Sequence, residues 1–243
     1  MEKSNIKTAG LIIIGNEVLS GRTQDTNTKT IALKLGEIGV QVREVRVIPD
    51  LIETIIDTVK HFSDTYDYVF TTGGIGPTHD DKTAEAVAGA FNTELFQHPD
   101  ALCVLIDHYG GAEHLNDGRV KMTYVPRGAT LIDNPVSSAP GFKIKNVHIM
   151  AGVPKIMEGM LENIIPTLLG GDIVKSRQIT VHKTESSIAK ILQGIEEKYK
   201  IDVGSYPKFH DGSPEVTVIL RGVDENILDE ALGVLKTLIH TID

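Results

Sequence analysis

The sequence predicts an α/β protein, a three-layer α/β/α sandwich around a mostly parallel sheet, followed by a small C-terminal α+β domain. Two observations support this prediction. In the first two-thirds of the chain, apolar runs of strand length alternate with segments of helical period, which is typical of a doubly wound sheet. After Gly170 and Gly171, a flexible joint, the order of the elements changes. We therefore predict one domain over residues 1–171 and a second over residues 172–243.

The predicted elements of the first domain alternate along the chain. Buried strands are predicted at residues 11–14, 42–48, 68–72 and 147–150. Helices are predicted where apolar residues recur at helical spacing, namely Ile31 and Leu35; Ile52, Ile55, Ile56 and Val59; Ala84, Val87 and Phe91; and Ile156, Met160 and Ile164. Pro99 predicts the start of a further helix, because proline is favoured in a first helical turn. Asp50, with Glu53 three residues later, has the pattern of a capping box and is predicted to cap the second helix.

The second domain is predicted from shorter patterns. Strands are expected at residues 177–181 and 216–220, and helices at residues 185–199 and 225–242. No internal repeat and no low-complexity tract interrupts either domain.

Composition limits the function classes. The formal net charge of -9 and the pI of about 5.5 argue against binding of nucleic acid independent of its sequence, because that needs clustered Lys and Arg. The single cysteine, Cys103, excludes a disulfide framework and favours a reducing compartment; we predict it to be a small core residue. The apolar run at residues 11–14 is too short for a signal peptide or a membrane span, so we expect a cytoplasmic protein.

A glycine-rich loop follows the third predicted strand and precedes a helix, which is where open α/β sheets bind ligands. Glycines let the backbone approach a phosphate, and the free amides at a helix start point at the anion. The loop residues predicted to bind a phosphate-bearing ligand are Gly73, Gly74, Gly76, Thr78 and His79. A strand-to-helix turn without a ligand is the alternative.

Two adjacent carboxylates end this loop. One aspartate suffices to cap a helix, so the second is free to hold a divalent cation beside the phosphates. We therefore predict Asp80 and Asp81 as metal ligands and catalytic residues, with Mg²⁺ or Co²⁺ as the cation.

Two further loops are candidates for the same pocket. The first follows the first strand and is rich in hydrogen-bonding side chains; its candidates are Gly15, Asn16, Glu17, Ser20 and Asn27. Taken alone, it also fits an ordinary polar loop that ends in a helix cap. The other is stiffened by two prolines, and its candidates are Asn134, Ser137, Ser138, Ala139 and Gly141. A rigid loop of this kind suits both ligand binding and a plain turn.

With these loops, the chain resembles the MoaB/Mog-like molybdopterin-binding superfamily, and most closely the N-terminal part of CinA (competence/damage-inducible protein A). It is also similar to the molybdopterin-binding-like domain of eukaryotic FAD synthase. The resemblance runs from about residue 8 to residue 169 and rests above all on residues 73–81. It implies a MoaB/Mog-like fold. Residues from 172 onward resemble the small KH-type module of CinA proteins, but they lack a Gly-x-x-Gly clamp and are acidic, so we expect no RNA binding.

The chain departs from the family at three positions. Asn16 stands where the family usually has Asp, which removes any role for a carboxylate there. Ser137 replaces a common glycine and Ala151 a common proline, and both changes narrow or retune the pocket.

The resemblance implies three alternative functions. The leading one is metal-dependent hydrolysis of a nucleotide pyrophosphate such as ADP-ribose or FAD. The second is molybdopterin binding or adenylylation, in which Asp81 and Asp50 match essential family aspartates, so Asp50 is a third catalytic candidate. The third is a carrier or sensor of a pterin or nucleotide without turnover. The resemblance also implies a homo-oligomer, with a dimer preferred, whereas no nucleic acid or membrane partner is expected.

Overall fold

The computed structural model of the protein describes residues 5–210 and 213–241. Two compact units divide this part of the chain: residues 5–171, and the described residues from Asp172 onward. Among these residues, no helix combines the length and the apolar character needed to cross a membrane.

The first unit alternates strands and helices. Its strands are β1 (Lys7–Ile14), β2 (Val40–Ile48), β3 (Tyr68–Thr72), β4 (Leu95–Gln97), β5 (Tyr124–Pro126), β6 (Thr130–Ile132), β7 (Gly141–Ile144) and β8 (Val147–Met150). Its α-helices are α1 (Asn16–Leu19), α2 (Asn27–Glu37), α3 (Ile52–Thr65), α4 (Thr83–Ala90), α5 (Pro99–Tyr109), α6 (Asp117–Lys121) and α7 (Pro154–Ile164). Short 3-10 helices cover Ala112–His114 and Ile165–Thr167.

Six of these strands form the central sheet, in the order β2-β1-β3-β8-β7-β6. The first four pair in parallel, whereas β7 runs antiparallel to β8 and β6 antiparallel to β7. Because β6 therefore runs in the direction of β8, the loop between β6 and β7 opens at the same edge as the carboxyl ends of β1, β3 and β8. All three predicted ligand loops lie at this edge. The remaining strands, β4 and β5, pair as a separate antiparallel ribbon.

Helices cover both faces of the sheet, each over its own apolar cluster. On one face, α3 and α4 contribute Ile55, Val59, Phe62, Ala86 and Val87. On the other, α2 and α7 contribute Ile31, Leu35, Met157, Met160 and Leu161. Complete burial of such side chains stabilises the fold by roughly 1.5–3 kcal/mol for each of the larger ones. The predicted three-layer α/β/α architecture with a mostly parallel sheet is thereby confirmed.

Two predictions about single residues are wrong. Asp50 does not cap α3: the N-cap residue is Leu51, which makes no side-chain cap bond, and the Asp50 carboxylate instead accepts the backbone N–H of Asn16 at 2.9 Å. Cys103 is exposed rather than buried, because α5 turns Ala101 and Leu105 toward the core and Cys103 toward solvent.

The second unit consists of β9 (Lys175–Val181), α8 (Glu185–Tyr199), β10 (Asp202–His210), β11 (Ser213–Gly222) and α9 (Glu225–His240). Its strands form an antiparallel sheet in the order β10-β11-β9, and both helices supply its core with residues such as Ile188 and Leu235. The sequence pattern missed β10, whose Gly204 and Pro207 are unusual in strands; pairing with β11 holds it extended. The last residues predicted for α9, including Ile242, lie outside the described residues.

Candidate functional site

The glycine loop leaves β3 at the centre of the sheet and is held there by its neighbours. Gly73 has a φ of 103°, and a Cβ at this position would lie 2.1 Å from the carbonyl oxygen of Ile14 at the end of β1. The Gly73 amide donates to the carbonyl of Met150 at the end of β8. Thr83 closes the loop, because its amide donates to Gly74 O and its hydroxyl to Gly73 O. Only glycine fits at position 73.

The two aspartates of this loop surround one hydroxyl group. Helix α4 begins at Thr83 with Lys82 as its N-cap, so Asp80 and Asp81 precede the helix and neither caps it. Asp81 Oδ2 accepts the backbone N–H of Thr78 at 2.8 Å and lies 2.6 Å from Thr78 Oγ1. The same hydroxyl lies 2.5 Å from Asp80 Oδ1. The loop thus brings together three of the residues that the sequence predicted.

The Thr78 hydroxyl has only one proton to donate to the two neighbouring carboxylates. A threonine hydroxyl carries one hydrogen, so it donates to one carboxylate at a time, and the other short oxygen–oxygen contact has no hydrogen to share. The hydrogen bond from Thr78 is the largest of the causes that lower the pKa of the Asp80 carboxyl, and His79 and Lys121 add smaller favourable charge interactions. The Asp80 carboxyl therefore stays ionised at pH values below the usual titration range of an aspartate.

A pocket of about 150 Å³ adjoins the loop on the side of α4. The loop contributes Gly76, His79 and Asp81 to its lining, and the apolar part of the lining includes Tyr124 and Phe142. Lys121, at the end of α6, also lines it and donates a hydrogen bond to the carbonyl of Thr78. Sequence reasoning missed Lys121, because α6 has only five residues and no apolar period that would predict it.

The first loop borders a smaller pocket of about 50 Å³, which Glu17, Asn27 and Gly152 line. Asn27 is buried at the start of α2, and its Nδ2 donates to the carbonyl of Gly152, the residue that packs against Gly73. The first loop is therefore tied to the glycine loop through the segment after β8. Of the other predicted residues here, Asn16 is held by Asp50, and Ser20 donates its hydroxyl to the carbonyl of Glu17. Gly15 is buried and donates its amide to the carbonyl of Ile48.

The loop between β6 and β7 is organised around Asn134, which is only 2% exposed. Its Oδ1 accepts the backbone amides of Val136 and Ser137, and its Nδ2 donates to Ser137 Oγ and to the carbonyl of Ala139. These bonds engage both polar atoms of the Asn134 side chain within its own loop.

The last two candidates of this loop have different surroundings. Ser138 adopts a φ of 62°, and its hydroxyl lies 3.0 Å from His108 Nδ1 at the end of α5. Gly141 begins β7, where a Cβ would lie 2.4 Å from the carbonyl oxygen of Ile149. Its lack of a side chain therefore permits close strand pairing.

Known protein families, sequences and solved structures resemble this chain. Residues 10–170 match the family described as probable molybdopterin binding domain, and residues 174–242 match the one described as FAD synthase, middle domain. A protein of Archaeoglobus fulgidus is 35% identical over 231 residues, which cover 95% of this chain and 97% of the relative. The crystal structure of CinA from Thermoplasma acidophilum is 38% identical, covers 68% of this chain and 99% of its own, and has a TM-score of 0.64. The molybdopterin biosynthesis enzyme MoaB from Thermus thermophilus covers 67% of this chain at 19% identity, with a TM-score of 0.47.

Fold and site define the class: an α/β protein with a loop-lined pocket at the carboxyl edge of a mostly parallel sheet. Within that class, the chain belongs to the probable molybdopterin binding domain family. The predicted resemblance to this superfamily and to CinA is confirmed. The family description implies a small-molecule ligand.

Proposed function

We propose that the protein is a metal-dependent hydrolase that cleaves the pyrophosphate of a nucleotide such as ADP-ribose or FAD at the glycine loop. The observation that carries the proposal is the pair of carboxylates, Asp80 and Asp81, around Thr78, with Asp81 lining the pocket. A protein that only bound its ligand would not need a second aspartate there. The match of residues 174–242 to a domain named for FAD synthase supports a nucleotide substrate.

The residues present fit a divalent cation. Two neighbouring carboxylates and a hydroxyl supply hard oxygen ligands of the kind that a divalent cation prefers. In the described part of the chain, no group of three or more His, Cys, Asp or Glu side chains is placed to hold a metal ion by itself. The proposed Mg²⁺ would therefore bind through the Asp80–Asp81 pair together with substrate phosphates and water, since this ion usually takes only one or two protein carboxylates. When bound, the cation supplies Lewis-acid stabilisation of charge on the phosphate oxygens.

Groups of the chain itself would bind the phosphates, bind the heterocycle and accept a proton. Backbone amides of the glycine loop bind the phosphates, and the fixed position of Gly73 between β1 and β8 keeps those amides in place before the substrate arrives. The apolar part of the lining, with Tyr124 and Phe142, accepts the heterocycle, because stacking on aromatic side chains suits a flat ring. His79 lines the same pocket and accepts the proton of the attacking water.

A product assay tests the proposal. Purified protein is incubated with ADP-ribose or with FAD, each with Mg²⁺, with Co²⁺ or with EDTA, and the products are separated by chromatography. We expect AMP to form with a metal and not with EDTA. A folded protein that binds the nucleotide but forms no AMP under any metal would refute the hydrolase.

Molybdopterin binding or adenylylation is the second candidate, and the description of the matched family favours it. In that reaction Asp81 holds the cation, and Asp50 acts through the first loop, whose Asn16 amide it holds. The product separates the two candidates, because adenylyl transfer yields an adenylylated pterin rather than AMP. Tight binding of a pterin or nucleotide without any product would instead indicate a carrier or sensor.

A further inference from the structure

Helix α6 is held in place by several independent contacts. Its N-terminus is capped by Asn116, whose side chain accepts the amide of Arg119. The Arg119 guanidinium stacks on Tyr109 at 3.8 Å and donates to the carbonyl of His114. A helix of five residues is not stable by itself, so these contacts are what keep α6 formed.

Close packing then fixes the distance between α6 and the loop. A Cβ on Gly118 would lie 2.9 Å from the carbonyl oxygen of Pro77 and 3.2 Å from its Cβ. A side chain at position 118 would therefore push α6 away from the loop. The absence of one lets Lys121, one turn further on, reach the carbonyl of Thr78.

The position of Lys121 matters because of the charge around it. The chain has a net charge of -9, so a substrate with two phosphates needs cations supplied locally. Lys121 lines the same pocket as Gly76 and Asp81, where the phosphates are proposed to bind. Its ammonium group has three donors, and the Thr78 carbonyl uses one of them.

Resting on the proposed function, we infer that Lys121 binds the phosphate that leaves when the pyrophosphate is cleaved. Water adds its oxygen to one phosphorus, and the bond from that phosphorus to the bridging oxygen breaks. The electron pair of that bond goes to the bridging oxygen, which departs as part of the second phosphate. One proton of the water passes to His79 and from there to solvent, and the other stays on the attacked phosphate. Lys121 stays protonated throughout and donates hydrogen bonds to the departing phosphate.

Three variants test the residue itself. For the substrate that the wild type hydrolyses, Lys121→Met is expected to lower kcat/KM by about 100-fold, the usual loss when one donor to developing charge is removed. Lys121→Arg, which keeps the charge with a different donor geometry, is expected to lose less than about 10-fold. Lys60→Met removes an equal charge from the exposed face of α3 and is expected to match the wild type. An unchanged rate for Lys121→Met would overturn the inference and leave the proposed hydrolase intact.

A substrate with a different leaving group distinguishes a contact between Lys121 and the departing phosphate from a purely structural effect of Lys121 on the loop. The p-nitrophenyl ester of a nucleoside 5′-phosphate releases an anion that needs little stabilisation. If Lys121 binds the leaving phosphate, the loss in Lys121→Met shrinks to less than about 10-fold with this ester. An equal loss with both substrates would show that Lys121 only shapes the loop.

Position is tested separately from charge. Gly118→Ala keeps the lysine but displaces α6 from the loop. We expect this variant to lower kcat/KM by about 10-fold, which is less than the loss in Lys121→Met, because a small displacement of a group that contacts the substrate already slows a reaction. Gly36→Ala in α2, where a Cβ meets open space, is the matched control and is expected to be fully active. Wild-type activity of Gly118→Ala would contradict the close approach on which the inference depends.

A binding measurement decides the matter if the wild type forms no AMP. Calorimetric titration with ADP-ribose and with adenosine, both without metal, compares a ligand with two phosphates with one that has none. Lys121→Met is expected to weaken the binding of ADP-ribose about 10-fold and to leave the binding of adenosine unchanged. Such a result without turnover would refute the hydrolase and keep Lys121 as a phosphate contact. Equal affinities of wild type and Lys121→Met for ADP-ribose, or no binding to either protein, would overturn the inference.

Discussion

The glycine loop after β3 and the loop between β6 and β7 open at the same edge of the sheet, yet they use their polar groups in opposite ways. In the second loop, Asn134 is buried and bonds to backbone and side-chain atoms of its own loop. In the glycine loop, Thr78 and Asp80 are exposed and Asp81 is half-buried. Both carboxylates lie within hydrogen-bond distance of the Thr78 hydroxyl, which has a single proton to donate. The first arrangement is satisfied as it stands, whereas the second leaves carboxylate oxygens available to the cation of the proposed function.

From this difference we expect Asn134 to affect mainly stability and the two aspartates mainly activity. A buried, fully bonded side chain contributes to folding, and its loss leaves polar groups unpaired. An exposed carboxylate contributes little to folding and remains available to a ligand. Variants of the two loops should therefore affect different measurements.

The largest effect is expected for Asp81→Asn. An asparagine still accepts the Thr78 amide but no longer offers a carboxylate to a cation, so kcat is expected to fall by about 1,000-fold, equivalent to about 4 kcal/mol. The midpoint of urea unfolding is expected to remain unchanged. Steady-state kinetics and urea unfolding measure the two quantities, with Asp57→Asn on the exposed face of α3 as control. Wild-type turnover by folded Asp81→Asn protein would remove Asp81 from the mechanism.

Gly73→Ala is expected to destabilise the first unit by about 3 kcal/mol or more, since the methyl group meets the Ile14 carbonyl and the backbone has a positive φ. Gly110→Ala is the matched control, because Gly110 also has a positive φ, of 79°, but faces open space. Its cost is expected to be about 1 kcal/mol. Thermal and urea unfolding compare the two variants, and equal costs would show that the glycine loop is not clamped by β1.

Asn134→Ala is expected to cost about 1–3 kcal/mol, because the buried Asn134 side chain is lost and the amides of Val136 and Ser137 lose their shared acceptor. Activity per folded molecule should fall much less than in Asp81→Asn. Asn163→Ala is the control, since Asn163 is exposed and donates one long bond of 3.3 Å to the Asp133 carbonyl. If Asn134→Ala abolished ligand binding without loss of stability, the loop would belong to the binding site instead.

The smallest effect is a change in titration. The Thr78 hydroxyl is the main cause that lowers the pKa of Asp80, so Thr78→Val is expected to raise that pKa toward the ordinary value for aspartate. Asp80 would then lose its charge at a higher pH, and the acid limb of metal-dependent activity would move up with it. Carbon-13 NMR of the Asp80 carboxyl measures the shift, with Thr65→Val in α3 as control. An unchanged titration of Asp80 would contradict the hydrogen bond.

The sequence predicted the larger elements because their apolar periods are strong. Residues 68–72 and 185–199 coincide with β3 and α8, and the inward faces of α2 and α3 are as expected. The short strands β4 to β7 and helix α6 were not predicted. Each has at most five residues, too few to show a period, and the ribbon of β4 and β5 exists only through its pairing. The misassigned cap of α3 has a similar origin, because Asp50 is held by Asn16, which lies 34 residues away.

The sequence by itself therefore determined the layered α/β architecture, the family and the glycine loop with its aspartates, because period, glycine placement and motif are local properties of the chain. Only the tertiary structure decided that the Asn134 side chain bonds within its own loop, that Asp50 accepts the Asn16 amide of the first loop, and that Lys121 reaches Thr78 across 43 residues. The physical reason is that a polar side chain bonds to whatever packing brings within about 3 Å of it, and no local pattern records those distances.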